Sequence, residues 1–271
     1  MKKVRLINTL KGLSVFISVL LMQSLAVILC ILGIIIYKNI SGGKYASYTQ
    51  AIDENEVMVK VIFQILSALL SFVLCAVLYN KSDMKKEKCN YNNIFSVRNI
   101  VSVVAISIGS SFFLSIMLNI ISLISGGYVS SYSQNMEQFN SGNPVFMLLY
   151  IVLIGPLSEE VIFRGAILDR FRKAFPFMWA NILQALLFGV YHGNFIQGFY
   201  SFLLGVILGM LLKKTNSIII PISTHVLFNI SSCIFCYIFI DGIVIWLCIL
   251  LMIISLFVFI SGFRNFLIIK V

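Results

Sequence analysis

Charge is scarce in this chain. Only 11% of its 271 residues are Asp, Glu, Lys or Arg, whereas 60% are hydrophobic. A soluble domain carries about 25% charged residues. With a mean hydropathy of +1.01, the shortage excludes a water-soluble fold and predicts an all-α polytopic membrane protein. Acids are scarcer than bases, and Asp241 is the only acid in the last hundred residues, which excludes a paired-aspartate mechanism. Histidine occurs twice, as His192 and His225. No HExxH and no GxSxG is present, and Ser158 stands outside any nucleophile elbow. Zinc-finger spacing and aromatic-rich basic motifs are also missing. The net charge of +10 therefore does not point to nucleic acid. Its basic residues fall in short clusters between apolar runs and read as topology signals for a lipid bilayer.

Cysteine offers little. Cys30, Cys75, Cys233, Cys236 and Cys248 lie in apolar segments and only Cys89 in a polar loop, so no disulfide framework is expected. The CxxC spacing of Cys233 and Cys236 reads as two small apolar fillers inside a helix. Lys2, Lys3, Arg5 and Lys11 precede an apolar run too long for a signal peptide and without a small-residue cleavage site. A retained first helix is expected there.

About 20 apolar residues cross the hydrocarbon core. Eight stretches meet or approach that length: about 13–37, 57–79, 99–125, 145–165, 177–195, 196–212, 217–240 and 243–263. Gly193, Asn194, Gln197 and Gly198 mark a tight turn between the fifth and sixth. The N-terminal tail, the run from Lys81 to Arg98, the cluster Arg170, Arg172 and Lys173, the pair Lys213 and Lys214, and Arg264 with Lys270 all fall on one side if eight helices span the bilayer. Both termini are then cytoplasmic. The loop from Ser130 to Asn143, rich in Ser, Asn and Gln, is expected to be flexible. In the sixth helix Ser201, Gly205 and Gly209 recur every four residues, a stripe that lets another helix approach closely.

Against this apolar background one stretch stands out. Pro156-Leu-Ser-Glu159-Glu160-Val-Ile-Phe-Arg164-Gly165 puts three formal charges in the fourth helix. At about 3 kcal/mol each, unneutralised, they would cost roughly 9 kcal/mol in lipid. Glu160 and Arg164 are i and i+4, the favourable order for an intrahelical ion pair. Neighbouring residues project about 100° apart on a helix, so Glu159 cannot share that partner and needs another. The fifth helix carries Asn181, Gln184, Phe188 and His192 on one face, and the seventh carries His225 and Asn229 at i and i+4. In a membrane such polar faces turn toward one another or a watery cavity.

These residue types suit two routes to amide hydrolysis. Glu159, His192 and His225 are a sufficient ligand set for a divalent metal such as zinc. Without metal, Glu159 can act as general base on a water while His and Asn donors hold the oxyanion. Depths counted from the expected helix ends set His192 roughly 10 Å from the layer of Glu159 and His225 at 1.5 Å per residue.

Glu159-Glu160-xxx-Arg164, Phe188-xxx-His192 and His225-xxx-Asn229, in this order and spacing, resemble the three motifs of the CPBP family. These are the CAAX-protease and bacteriocin-processing intramembrane proteases, also called the Abi family. The resemblance covers roughly residues 145–235. It implies that Glu159 activates water, that His192 helps to hold that water, and that His225 and Asn229 form the oxyanion site. Glu160 and Arg164 become structural support, and the cofactor is a divalent metal or none. It also implies a catalytic bundle of helices 4 to 7 within residues 145–240; the apolar stretches place three helices before it in 1–144 and a last helix and cytoplasmic tail after it in 241–271. The expected partner is a peptide or membrane-anchored protein substrate in a bacterial plasma membrane, with roles in peptide pheromone or bacteriocin maturation or in self-immunity. Two other readings of the same cavity are a non-catalytic immunity or peptide-binding protein and an ion-coupled transporter. The chain shows neither the repeated halves nor the paired broken helices expected of the transporter.

Overall fold

A computed structural model describes residues 2–41, 47–82, 95–124, 144–238 and 245–268. Among the described residues there are eight apolar helices: α1 (Lys2–Ile40), α2 (Glu56–Asn80), α3 (Val97–Ile124), α4 (Pro144 to Phe171), α5 (Phe177–Tyr191), α6 (Phe195–Thr215), α7 (Ile219–Ile238) and α8 (Ile245–Ile268), with a short helix, Tyr48–Asp53, between α1 and α2. No strand occurs among the described residues. Six of the eight are long and apolar enough to cross a membrane, while α5 and the described part of α7 are shorter. The protein is thus an all-helical polytopic membrane protein, as its composition predicts. Loop 130–143, the lysines 85, 86 and 88, Cys89 and Asp241 lie outside the described residues. Cys30, Cys75, Cys233 and Cys248 are free thiols.

The distribution of polarity is that of a protein in lipid. Ile17, Leu21, Ile28, Val73, Val77, Val101, Val190 and Phe257 are exposed, whereas Ser67, Ser71, Ser107, Asn181, Gln184 and Thr224 are buried. Buried hydroxyls also join the helices. Ser107 Oγ donates to the Thr224 carbonyl at 3.1 Å, and Ser111 and Ser232 share a hydrogen bond of 2.8 Å, linking α3 to α7 as polar glue.

Three apolar clusters form among the described residues, the smallest from Ile116, Phe235 and Cys248; the other two are larger. In one, Val15, Phe16 and Val19 of α1 and Cys75 of α2 pack on α4 from Val161 to Phe171 and on Phe188 of α5. In the other, Val103 and Ile106 of α3, Leu204 and Leu208 of α6, Phe228 of α7 and Phe266 of α8 come together. The N-terminal helices therefore pack directly against the helix that carries the glutamates.

Basic residues gather at one end of the bundle. Arg5 Nε donates to the Ala174 carbonyl at 2.8 Å, with its guanidinium 4.9 Å from the centre of the Phe175 ring. Lys213 Nζ lies 5.4 Å from the Phe177 ring centre, and Lys214 Nζ donates to the Leu267 carbonyl at 2.8 Å. The start of α1, the α4–α5 connection, the end of α6 and the end of α8 thus share one face.

The α5–α6 hairpin is closely packed. Gly193 turns the chain with φ +67°, a conformation that favours glycine. Asn194 then caps α6, its Oδ1 accepting from the backbone N–H of Ile196 at 2.9 Å and of Gln197 at 3.1 Å. A Cβ on Gly189 would stand 2.6 Å from the Gly198 carbonyl oxygen, and one on Gly205 3.0 Å from Ala185 Cβ. One on Gly209 would collide with Asn181 Oδ1. Gly205 and Gly209 of the small-residue stripe serve this approach, whereas Ser201 lines a cavity instead. We expect Gly189→Ala to cost about 1–3 kcal/mol, because the opposing atom is backbone and cannot rotate away. Gly33→Ala, with nothing within 4 Å of the added Cβ, should cost nothing. Thermal unfolding of both variants in detergent checks the contrast.

Candidate active site

The geometry of the site starts in α4, which is not a uniform α-helix. Two π-helical stretches, Tyr150–Ile154 and Val161–Ile167, flank the α-helical Gly155–Glu160. Pro156 has no N–H for the Val152 carbonyl. The wider turn before it lets the Gly155 N–H reach the Tyr150 carbonyl instead. Such π segments concentrate at functional sites because they re-aim side chains within a helix.

Glu160 and Arg164 form the expected ion pair at 2.9 Å, and both side chains are fully buried. The same Glu160 Oε1 accepts from His225 Nδ1 at 2.8 Å. Arg164 also donates from Nη2 to the Gly205 carbonyl at 3.3 Å and lies 4.6 Å from the Phe188 ring centre. Gln184 Nε2 donates to that same carbonyl at 3.0 Å and to Asn181 Oδ1 at 2.8 Å. Asn181 Nδ2 donates to the Val206 carbonyl at 2.9 Å. The polar face of α5 therefore divides. Asn181 and Gln184 bind the backbone of α6, and only His192 at the helix end reaches the cavity.

Glu159 has a different environment. It lines a cavity of about 430 Å³ with His192, His225 and Asn229, whereas Glu160 and Arg164 do not. Its Oε2 is 3.7 Å from His225 Nε2, beyond a direct hydrogen bond. His192 Nδ1 donates to the Phe188 carbonyl at 2.8 Å, which leaves Nε2 as an acceptor in the neutral ring. Asn229 Nδ2 spends one hydrogen on the Ile151 carbonyl at 2.7 Å and keeps the other. Ser158 donates to the Gly155 carbonyl at 3.0 Å and is buried, outside the cavity lining.

The 10 Å disagreement in depth has a structural resolution. Helix α4 continues past residue 165 to Phe171, so Glu159 sits twelve residues, about 18 Å, from its end. By the same rise His192 lies about 22 Å into α5. The charged run beyond residue 165 stays helical because the buried Asp169 carboxylate pairs with Arg170 at 2.9 Å, Arg172 at 3.4 Å and Lys173 at 2.9 Å. His225 meets Glu159 although it is only six residues into α7, so the helix ends are not level.

Several cavity residues carry no motif. Tyr150, Tyr191, Gln197 and Ser201 belong to the site segment, but Gln23 comes from α1, Gln64 and Ser67 from α2, and Ser115 from α3. Spacing on α2 was the available signal, since Gln64, Ser67 and Ser71 are i, i+3 and i+7 on one face of an apolar helix.

For a divalent metal, Glu159, His192 and His225 are of suitable residue types, and among the described residues no group of three His, Cys, Asp or Glu side chains stands at metal-binding spacing.

Residues 141–231 match a family model described as Type II CAAX prenyl endopeptidase Rce1-like. The segment that holds the site is thus similar to that family. That span contains all three motifs, so the resemblance read from them is shown. A curated relative, "Putative membrane peptidase YdiL" of Bacillus subtilis (strain 168), is 26% identical over 83 residues, which is 31% of this chain and 34% of that protein. The chain thus spans about a third of the length of this relative. No solved structure matches the chain.

Proposed function

We propose that the protein is an intramembrane endopeptidase that hydrolyses a peptide bond in a membrane-associated peptide or protein. The observation that carries this reading is the convergence of Glu159, His192, His225 and Asn229 on one cavity inside the helical bundle. The Rce1-like match over the same segment supports it.

Each group has a role consistent with its hydrogen bonds. A water placed between Glu159 and His192 gives one hydrogen to the carboxylate and the other to His192 Nε2, leaving a lone pair for the substrate carbonyl. As the water oxygen bonds to the carbonyl carbon, Glu159 takes the proton. The oxyanion that forms accepts from the second Nδ2 hydrogen of Asn229, and from His225 Nε2 when that ring is protonated. Glu159 then passes its proton to the amine nitrogen as the C–N bond breaks. Glu160 and Arg164 touch no reacting atom in this scheme. They orient His225, because Glu160 Oε1 fixes the Nδ1 side of the ring and so turns Nε2 to the cavity.

The scheme uses water and side chains alone. Purified protein in liposomes, given membrane-anchored peptides, should release fragments whose new termini mass spectrometry identifies. Activity should survive a strong chelator. Loss in chelator and recovery with zinc would instead make Glu159, His192 and His225 metal ligands. The Lys and Arg clusters support a cytoplasmic position for both termini, and the family resemblance supports a bacterial plasma membrane, with cleavage of a pheromone, bacteriocin or immunity-related peptide as the corresponding role.

A further inference from the structure

Peptide hydrolysis inside a membrane faces a second problem besides water activation. The scissile amide is reachable only when the substrate backbone is extended. Each N–H and C=O so freed costs several kcal/mol in hydrocarbon unless it finds a partner. The cavity supplies partners from helices outside the Rce1-like segment. Gln23 of α1 and Gln64 and Ser67 of α2 line it with Glu159. Gln23 and Ser67 are engaged, since both hydrogen-bond Tyr191. Gln64 is not: its Oε1 is buried and has no partner among the described residues.

Resting on the peptidase reading above, we propose that Gln64 binds a main-chain N–H of an extended, unlipidated peptide and makes the cavity selective for that class of substrate. A side-chain amide matches a peptide group because it offers both an acceptor and donors. An isoprenoid chain has neither, and burying it against Gln64 would leave the Oε1 of that amide unpaired. The N-terminal helices thereby acquire a task in recognition: they present a polar wall to the peptide.

The test measures binding, so it does not depend on turnover. Glu159→Ala protein in nanodiscs is titrated with a fluorescein-labelled, Ala- and Ser-rich twelve-residue peptide and with the same peptide ending in farnesyl-cysteine. Affinities are corrected for partitioning into empty discs. The plain peptide is expected to bind at least as tightly as the farnesylated one. Adding Gln64→Leu should weaken the plain peptide about tenfold, the loss of one buried hydrogen bond, while Gln64→Asn recovers part of the affinity. Leucine lowers the cost of membrane insertion, and matching thermal unfolding confirms that the variant is folded. Unchanged affinity in Gln64→Leu, tighter binding of the farnesylated peptide, or no binding of the plain peptide overturns the proposal. In the parent protein, KM should rise and kcat hold in Gln64→Leu. Binding as expected without any cleavage would overturn the peptidase reading alone.

Discussion

Arg164→Leu is expected to destabilise the protein by about 3–5 kcal/mol, the range for removing one partner of a buried ion pair. The reason is what it leaves behind. Glu160 is fully buried, its Oε1 held by Arg164 and His225 and its Oε2 without a partner among the described residues. Without the guanidinium, a carboxylate remains inside an apolar bundle with one imidazole for company. The Gly205 carbonyl on α6 also loses the Arg164 donor, leaving Gln184 as its side-chain donor. Adding Glu160→Gln should recover part of the loss, because the residual charge is then gone. Unfolding of both variants in detergent checks this, and a cost below about 1 kcal/mol for Arg164→Leu would show that Glu160 is not buried as a charge.

Glu159→Gln is expected to lower kcat by about 10²–10⁴-fold, the usual contribution of a positioned general base, with unfolding unchanged. Glutamine keeps the volume and hydrogen-bonding reach but cannot accept the proton of a water. The two adjacent glutamates differ in kind. Glu159 faces the cavity, whereas Glu160 is enclosed and committed to Arg164 and His225. Glu160→Gln should therefore act on stability and on the orientation of His225, and Glu159→Gln on the chemical step.

Much of the fold was legible because lipid imposes a simple rule on composition. Eight apolar stretches became eight helices, and the turn at Gly193 and Asn194 lies where the small and polar residues stand. The end of α4 was missed for an identifiable reason. Asp169 to Lys173 looks like a soluble loop by charge, yet a buried Asp169 gathers the neighbouring cations and carries the helix to Phe171. The site was legible through its three motifs, which rest on i, i+4 spacing within single helices. What spacing could not reveal was which polar residues face the cavity. Asn181 and Gln184 share a helix face with His192 yet bind α6, because the glycine contacts bring its carbonyls within reach. Gln23 and Gln64 belong to the cavity because α1 and α2 pack on α4, a tertiary arrangement no local pattern encodes.

The most direct measurement is cleavage of one membrane-anchored peptide by wild-type and Glu159→Gln protein in liposomes, each with and without a strong chelator. Cleavage by the wild type in both conditions, and a loss of at least about a hundredfold in the variant, is the expected result. Equal cleavage by the folded variant would contradict the assignment of Glu159 as the base, and with it the peptidase reading of the cavity.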